Sequence, residues 1–146
     1  MNKFEKNILT YFHIGNIKYA PGTFASFVAA LIYFFIPNSL ILQFSVLLSH
    51  ICLGFYFCYI YSEKKYKNED PCFIVIDEVV GMMISLFLIP KLLSAYLLAF
   101  FIFRFLDIFK PSFIFRAQNI GSGVGIMMDD IISGFITLMI VIGIFN

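Results

Sequence analysis

Five apolar stretches, residues 23–36, 40–61, 73–89, 92–109 and 124–145, make up most of this chain. They are joined by Pro37-Asn38-Ser39, a charged loop at 62–72, Pro90-Lys91 and a loop from Lys110 to Gly123. An α-helix rises about 1.5 Å per residue, so crossing a hydrocarbon core about 30 Å thick takes roughly 17 to 25 residues. Several stretches reach that length; the first is short and is expected to tilt, re-enter or extend into the segment before Pro21. With 61% hydrophobic residues, 13% charged and 20 Phe, the chain holds more apolar side chain than one water-soluble core requires. The expected fold is all-α, a polytopic membrane helical bundle of about four to five transmembrane helices. Short connections and the lack of any repeat make residues 1–146 one domain.

Residues 1–20 lack the continuous apolar run and small-residue cleavage site of a signal peptide. Phe4, Ile8 and Tyr11 recur at helical spacing beside Lys3 and Lys6, which predicts an N-terminal interfacial helix on the lipid headgroups. A net charge of +1 and the dilution of Lys64, Lys65 and Lys67 by Glu63, Glu69 and Asp70 argue against a nucleic-acid partner. Cys52, Cys58 and Cys72 have no metal or redox spacing and read as small apolar fillers.

If all five stretches cross, the N-terminal tail and the loops at 62–72 and 110–123 share one side. That side carries Lys3, Lys6, Lys18, Lys64, Lys65, Lys67, Lys110 and Arg116, against Lys91 alone on the other. The positive-inside rule places the basic side in the cytoplasm. Asp77, Glu78, Asp107, Asp129 and Asp130 then fall within one or two helical turns of the cytoplasmic boundary, although they come from three different stretches. An acidic side chain at the centre of a membrane helix costs roughly 2.5 to 3.5 kcal/mol, so five of them in apolar surroundings demand a function.

Consecutive residues on a helix diverge by about 100°, so Asp77 and Glu78 are expected not to address one spot in the same way. One could ligate a metal while the other fixes a water or a cation; alternatively both are a dipole-stabilised pair near a helix start. Arg104, Asp107 and Lys110 recur every third residue ahead of Pro111, a stripe of cation, anion and cation. The stripe suits either an internal ion pair or phosphate binding, Arg supplying a planar fork and Lys a mobile charge. Gly121-Ser122-Gly123-Val124-Gly125 leads into a helix bearing Asp129-Asp130, and the amides of Gly123 and Gly125 could face an anion or serve close packing. Thr23 reads as a helix cap or as a hydroxyl donor to the site. Five carboxylates against two cations leave an excess of negative charge that divalent cations would relieve, and oxygen-only ligands favour Mg²⁺ over Zn²⁺. His13 and His50 lie away from these motifs and read as polar contacts.

Together, Pro21-Gly22-Thr23, Asp77-Glu78 with Gly81-Met82, Arg104-Phe105-Leu106-Asp107-Ile108-Phe109-Lys110-Pro111 and Gly123-Val124-Gly125-Ile126-Met127-Met128-Asp129-Asp130 resemble the phosphatidylglycerophosphatase A family. The resemblance runs from about residue 9 to the C-terminus. It departs at Asn16-Ile17-Lys18, where the family is richer in glycine and serine, and at Ala25, where glycine is usual. The resemblance implies an Mg²⁺-dependent, multi-pass enzyme of the bacterial inner membrane, working at the cytoplasmic face in phospholipid biosynthesis. It would convert phosphatidylglycerophosphate to phosphatidylglycerol. Asp77, Glu78, Asp107, Asp129 and Asp130 are then the expected metal-binding and catalytic residues, with Arg104, Lys110, Gly123, Gly125 and Thr23 on the substrate phosphate.

No Cys has an Arg six positions on, no Asp-x-Asp pair occurs, and two His are too few for histidine phosphatase chemistry. Metal-activated water is therefore the expected nucleophile. The rival class is a small ion- or proton-coupled transporter using the same acids. A transport path needs polar groups through the whole bilayer, whereas the outer half of this chain offers only scattered groups such as Gln43, Ser85 and Thr137.

Overall fold

Pro90 and the tripeptide Pro37-Asn38-Ser39 break the apolar sequence into helices that reverse direction at each break. The computed structural model describes residues 2–64, 72–111, 114 and 123–145. The charged loop from Lys65 on, Arg116 and Gly121-Ser122 lie outside the described residues. Among the described residues there are no strands, and the helices are α1 (Lys3–Leu9), α2 (Pro21–Phe35), α3 (Leu40–Lys64), α4 (Ile76–Leu86), α5 (Leu93–Phe109) and α6 (Gly123–Phe145), with a 3-10 turn at Ile14–Asn16.

The expectation of four to five crossings is met only in part. Two described helices are long and apolar enough to cross a membrane, Leu40–Glu63 and Gly123–Phe145. The stretch expected over 73–89 is helical only over the 11 residues of α4, or about 16 Å at 1.5 Å per residue. The chain turns extended at Phe87 and left-handed at Leu88, φ 67°, just before Pro90. Every residue of α4 except the partly covered Glu78 is buried, so α4 is the axis of the bundle, packed by α6, α2, α3 and α5.

Small residues make that packing possible. A Cβ on Gly81 would lie 2.7 Å from the Asp130 carbonyl oxygen, and one on Gly134 would lie 2.5 Å from the Gly81 carbonyl oxygen. The α4 and α6 backbones therefore meet at Gly81 and Gly134, the close approach that membrane helix pairs use in place of a hydrophobic driving force. Below this contact Ser85, Ser133 and Thr137 are buried, and each donates its hydroxyl to a carbonyl four residues earlier in its own helix. Their polar groups are satisfied locally, as buried hydroxyls in apolar surroundings require.

The outer surface is the reverse of a soluble protein's. Ile41 is 80% exposed, and Phe24, Phe27, Leu31, Leu48, Leu97, Phe101, Phe105, Phe135 and Met139 also face outward. An apolar patch that continuous is suited to lipid and not to water. Cys52 and Cys72 are exposed, and only Cys58 is the buried filler expected of all three.

The N-terminal segment is shorter in helix than its spacing suggests. Helix α1 stops at Leu9, because Tyr11, Phe12 and His13 all adopt positive φ of 42°, 56° and 71°. Phe4 stands exposed with its ring edge on Phe57, whereas Leu9 and Tyr11 are buried, the Tyr11 hydroxyl lying 3.3 Å from His50 Nε2. The Val75 amide donates to the Leu9 carbonyl at 3.0 Å, tying the segment to the entrance of α4. The segment is thus docked on the bundle through Leu9 and Tyr11, with Phe4 left facing outward. His13 and His50 make the polar contacts expected of them, to Asn16 and to Tyr11 with the Val46 carbonyl.

Candidate active site

Helices α2, α4 and α6 begin at one end of the bundle and α5 finishes there, so the four conspicuous motifs meet although they are up to about a hundred residues apart. Asp77 and Glu78 occupy the first turn of α4, where the helix dipole favours anions. Asp130 reaches them from the second turn of α6. One oxygen each from Asp77, Glu78 and Asp130 can be chosen so that all three lie within 4.8 Å of one another. Asp77 is 5% exposed and Asp130 2%, and the neighbouring Asp107 carboxyl comes within hydrogen-bonding reach of Asp130.

Asp77 and Glu78, neighbours about 100° apart on the helix, reach this cluster in different ways. The Asp77 carboxylate turns back to accept the Glu78 amide at 3.1 Å, and the longer Glu78 side chain spans the 100° between them. The expected layer of five acids therefore divides into a trio, Asp77, Glu78 and Asp130, and two acids held by cations. Asp107 Oδ2 lies 2.5 Å from Arg104 Nη1 on the same helix, and Asp129 Oδ2 lies 2.5 Å from Lys110 Nζ.

Lys110 ends α5 in a left-handed conformation, φ 39°, which turns its side chain across to α6. Burial works against its charged form, but the hydrogen bond and charge of Asp129, with Asp130 and Asp107 behind it, hold its ammonium above the ordinary lysine range. Among the described residues, three buried polar atoms stand without a protein partner in this small region: Glu78 Oε2, Asp130 Oδ1 and Arg104 Nε. Buried polar groups are normally paired, so a concentration of orphans of both signs at one place marks a binding site for something polar.

The α2 end supplies residues that the sequence did not single out for the site. Ser26 donates to the Gly22 carbonyl at 2.9 Å, and Arg104 Nη1 lies 3.4 Å from Ser26 Oγ. A Cβ on Gly22 would overlap Glu78 Oε1 and sit 3.3 Å from Arg104 Nη1. Only glycine permits this approach, so the Pro-Gly-Thr segment is a wall of the site despite the unusual residues before it. Thr23 is the third residue of α2, which starts with Pro21 and has Ala20 as its cap residue. Thr23 therefore does not cap the helix as expected; its partly exposed side chain sits one residue beyond the Gly22 contact. Gly123 and Gly125 are buried at the start of α6, and the Gly123 Cα rests against the Cys58 backbone of α3, the close-packing use of the glycine pattern.

The arrangement can hold a hard cation among three carboxylates while presenting a guanidinium and an ammonium to an anion. No solved structure matches the chain. Among curated proteins it is 33% identical over 142 residues to a Bacteroides thetaiotaomicron protein provisionally named a phosphatidylinositol-3-phosphatase, covering 90% of this chain and 87% of that one. It is 37% identical over 121 residues to Phosphatidylglycerophosphatase A of Escherichia coli, covering 80% and 69%. It is 33% identical over 140 residues to Phosphatidylglycerophosphatase A of Haemophilus influenzae, covering 91% and 83%. The family model for Phosphatidylglycerophosphatase A matches residues 7–145, so the chain belongs to that family and is a phosphatase.

Proposed function

We propose that this protein hydrolyses the terminal phosphomonoester of phosphatidylglycerophosphate, with Mg²⁺, at the cytoplasmic face of a bacterial inner membrane. The observation that carries the reading is the trio of Asp77, Glu78 and Asp130, with unpartnered oxygens on two of its members, beside Arg104 and Lys110. The donor set fits Mg²⁺, being all oxygen and anionic. Asp77, Glu78 and Asp130 would hold it, with Asp107 adjoining. The ion when bound supplies Lewis acidity and lowers the pKa of water.

The chain's own groups account for the rest. Arg104 is pinned through Nη1 by Asp107 and Ser26, which leaves Nε to donate to a phosphoryl oxygen. Lys110, steadied by Asp129, adds positive charge where negative charge spreads in the transition state. Glu78, with one oxygen in the trio and Oε2 unpartnered, can also accept the proton of an attacking water. Lys91 lies at the opposite end of the bundle, donating to the carbonyls of Phe34 and Ile36. The remaining basic residues cluster towards the site end in sequence, which supports a cytoplasmic site.

The transporter reading is not favoured, because the chain belongs to a phosphatase family and the hydroxyls of Ser85, Ser133 and Thr137 beyond the site are occupied within their own helices, although that of Tyr33 is buried without a partner. The test is phosphate release from phosphatidylglycerophosphate by purified protein in mixed micelles, with phosphatidylinositol 3-phosphate and glycerol 3-phosphate alongside. Release restricted to phosphatidylglycerophosphate, abolished by EDTA and restored by Mg²⁺, is expected. Release that survives EDTA would remove the metal from the mechanism, and faster turnover of phosphatidylinositol 3-phosphate would reassign the substrate.

A further inference from the structure

Directly beyond the Ser26–Arg104 contact, α2 and α5 separate into an apolar groove of ≈ 350 Å³. The two helices run antiparallel in a clear register. Ser26 meets Arg104, the Phe27 ring lies edge-on to Phe100 at 6.4 Å, and Phe34 lies edge-on to Tyr96 at 5.3 Å. The groove follows this register away from the site, with Leu31, Leu97 and Phe101 along its rims. Among its lining residues only Tyr96 carries a polar side-chain group.

From Phe27 to Phe35 the groove extends about 12 Å at 1.5 Å per residue, close to the roughly 15 Å of one leaflet of a 30 Å hydrocarbon core. Arg104 of the candidate site stands one helical turn past its Phe100 end on α5. Its other end is near the C-terminus of α2, where Lys91 donates to the carbonyls of Phe34 and Ile36. A cleft that opens one helical turn from the Arg104 guanidinium, is close to one leaflet deep and is walled by rings and aliphatic side chains matches the outline of a phospholipid with its headgroup in the site.

We propose that the α2–α5 groove seats one acyl chain of the lipid whose phosphate is presented to Arg104 and to the Asp77, Glu78 and Asp130 trio. The inference rests on the lipid phosphatase reading and adds a second point of substrate recognition. The chain in the groove holds the lipid at the site equally in the ground state and the transition state, so it adds affinity for long-chain substrate without altering the chemical step. Leu97 is half exposed on the rim, and a larger ring there fills the groove without disturbing the core.

The test compares Leu97→Trp with Phe135→Trp, a change on a lipid-facing residue of α6 outside the groove, using dipalmitoyl and dihexanoyl phosphatidylglycerophosphate in mixed micelles. Leu97→Trp is expected to raise KM for the long-chain substrate about tenfold with little change in kcat, the signature of lost uniform binding. KM for the short-chain substrate, and both constants in Phe135→Trp, stay at wild-type values. A Leu97→Trp shift that is equal for both substrates, or absent for both, overturns the proposal.

A second measurement does not depend on turnover. Wild-type protein is photolabelled with phosphatidylglycerol carrying a diazirine in mid-chain. Labels confined to α2 and α5 and displaced by excess phosphatidylglycerophosphate, but not by phosphatidylcholine, support the groove. Labels spread evenly over α3 and α6 identify ordinary surrounding lipid and overturn it. Failure of the phosphatase reading shows separately, as no phosphate release from any lipid by the wild-type protein.

Discussion

Gly22 and Glu78 touch at a point where the next larger residue has no room: a Cβ on Gly22 would overlap Glu78 Oε1. Gly22→Ala must displace the Glu78 carboxylate, which is shared with the trio, or push α2 away from Arg104. Overpacking of this kind costs about 1–3 kcal/mol. The expected outcome is a loss of kcat on the order of 10²-fold with a modest fall in detergent-solubilised thermal stability, since a displacement near 1 Å can lower turnover that much. Activity near wild type in a well-folded Gly22→Ala protein would show that Glu78 is free to move.

Asp77→Asn and Asp130→Asn each remove one charge from the trio without changing its shape. Phosphate release is expected to fall by at least about 10²-fold in each, as for loss of a charge-stabilising group in an active site. Isothermal titration should show weaker Mg²⁺ binding in both. Normal Mg²⁺ binding by Asp77→Asn would exclude that residue from the ligand set.

Lys110 and Asp129 form a pair in which the acid is nearly inaccessible, 2% exposed at the side chain against 25% for the lysine. Lys110→Ala should destabilise the protein by about 1.5–3 kcal/mol, because the buried Asp129 carboxylate loses one charge-assisted hydrogen bond. Lys110→Ala with Asp129→Asn should recover most of that loss in stability without recovering activity. A double-mutant cycle by thermal or denaturant unfolding in detergent measures the coupling, and purely additive effects would contradict it.

Arg104 is held by two partners through a single terminal nitrogen, which leaves Nε for substrate. Arg104→Lys keeps the charge but cannot meet Asp107, Ser26 and a phosphoryl oxygen together. It is expected to lose more kcat than Lys110→Arg, by roughly 10- to 100-fold, in proportion to one charge-assisted hydrogen bond of about 1.5–3 kcal/mol. Equal losses in the two variants would make Arg104 a structural partner of Asp107.

Much of this site was legible before any coordinates. The helix-breaking prolines and the alternation of charged connections put Asp77, Asp107 and Asp130 at one depth, and the structure brings them to one end of the bundle. Sequence spacing gave the divergence of Asp77 and Glu78 around the helix but not which oxygens converge, since that depends on the reach of each side chain and on Asp130 arriving from α6. Gly22 and Ser26 were invisible as site residues because their role comes from helices α4 and α5, more than fifty residues away in the chain. The length of α4 was overestimated for a related reason: apart from Asp77, Glu78, Gly81 and Ser85, Phe73 to Ile89 is apolar, and apolarity alone does not distinguish helix from the non-helical residues that flank it. The early end of α1 lies in three consecutive left-handed residues, none of them glycine, which no residue preference announces.

The enclosure of α4 bears on how the protein is made. A short helix with two acids in its first turn and no lipid-facing side has little of its own to favour partition from the translocation channel into the bilayer. Helices α2, α3, α5 and α6, which surround it, provide the surface that α4 needs. The packing of α4 is therefore complete only once α6 has been made, and the Asp77, Glu78 and Asp130 trio, split between these two helices, comes together no earlier. A nascent chain stopped before Gly123 carries the Asp77-Glu78 half of the site with nowhere stable to put it.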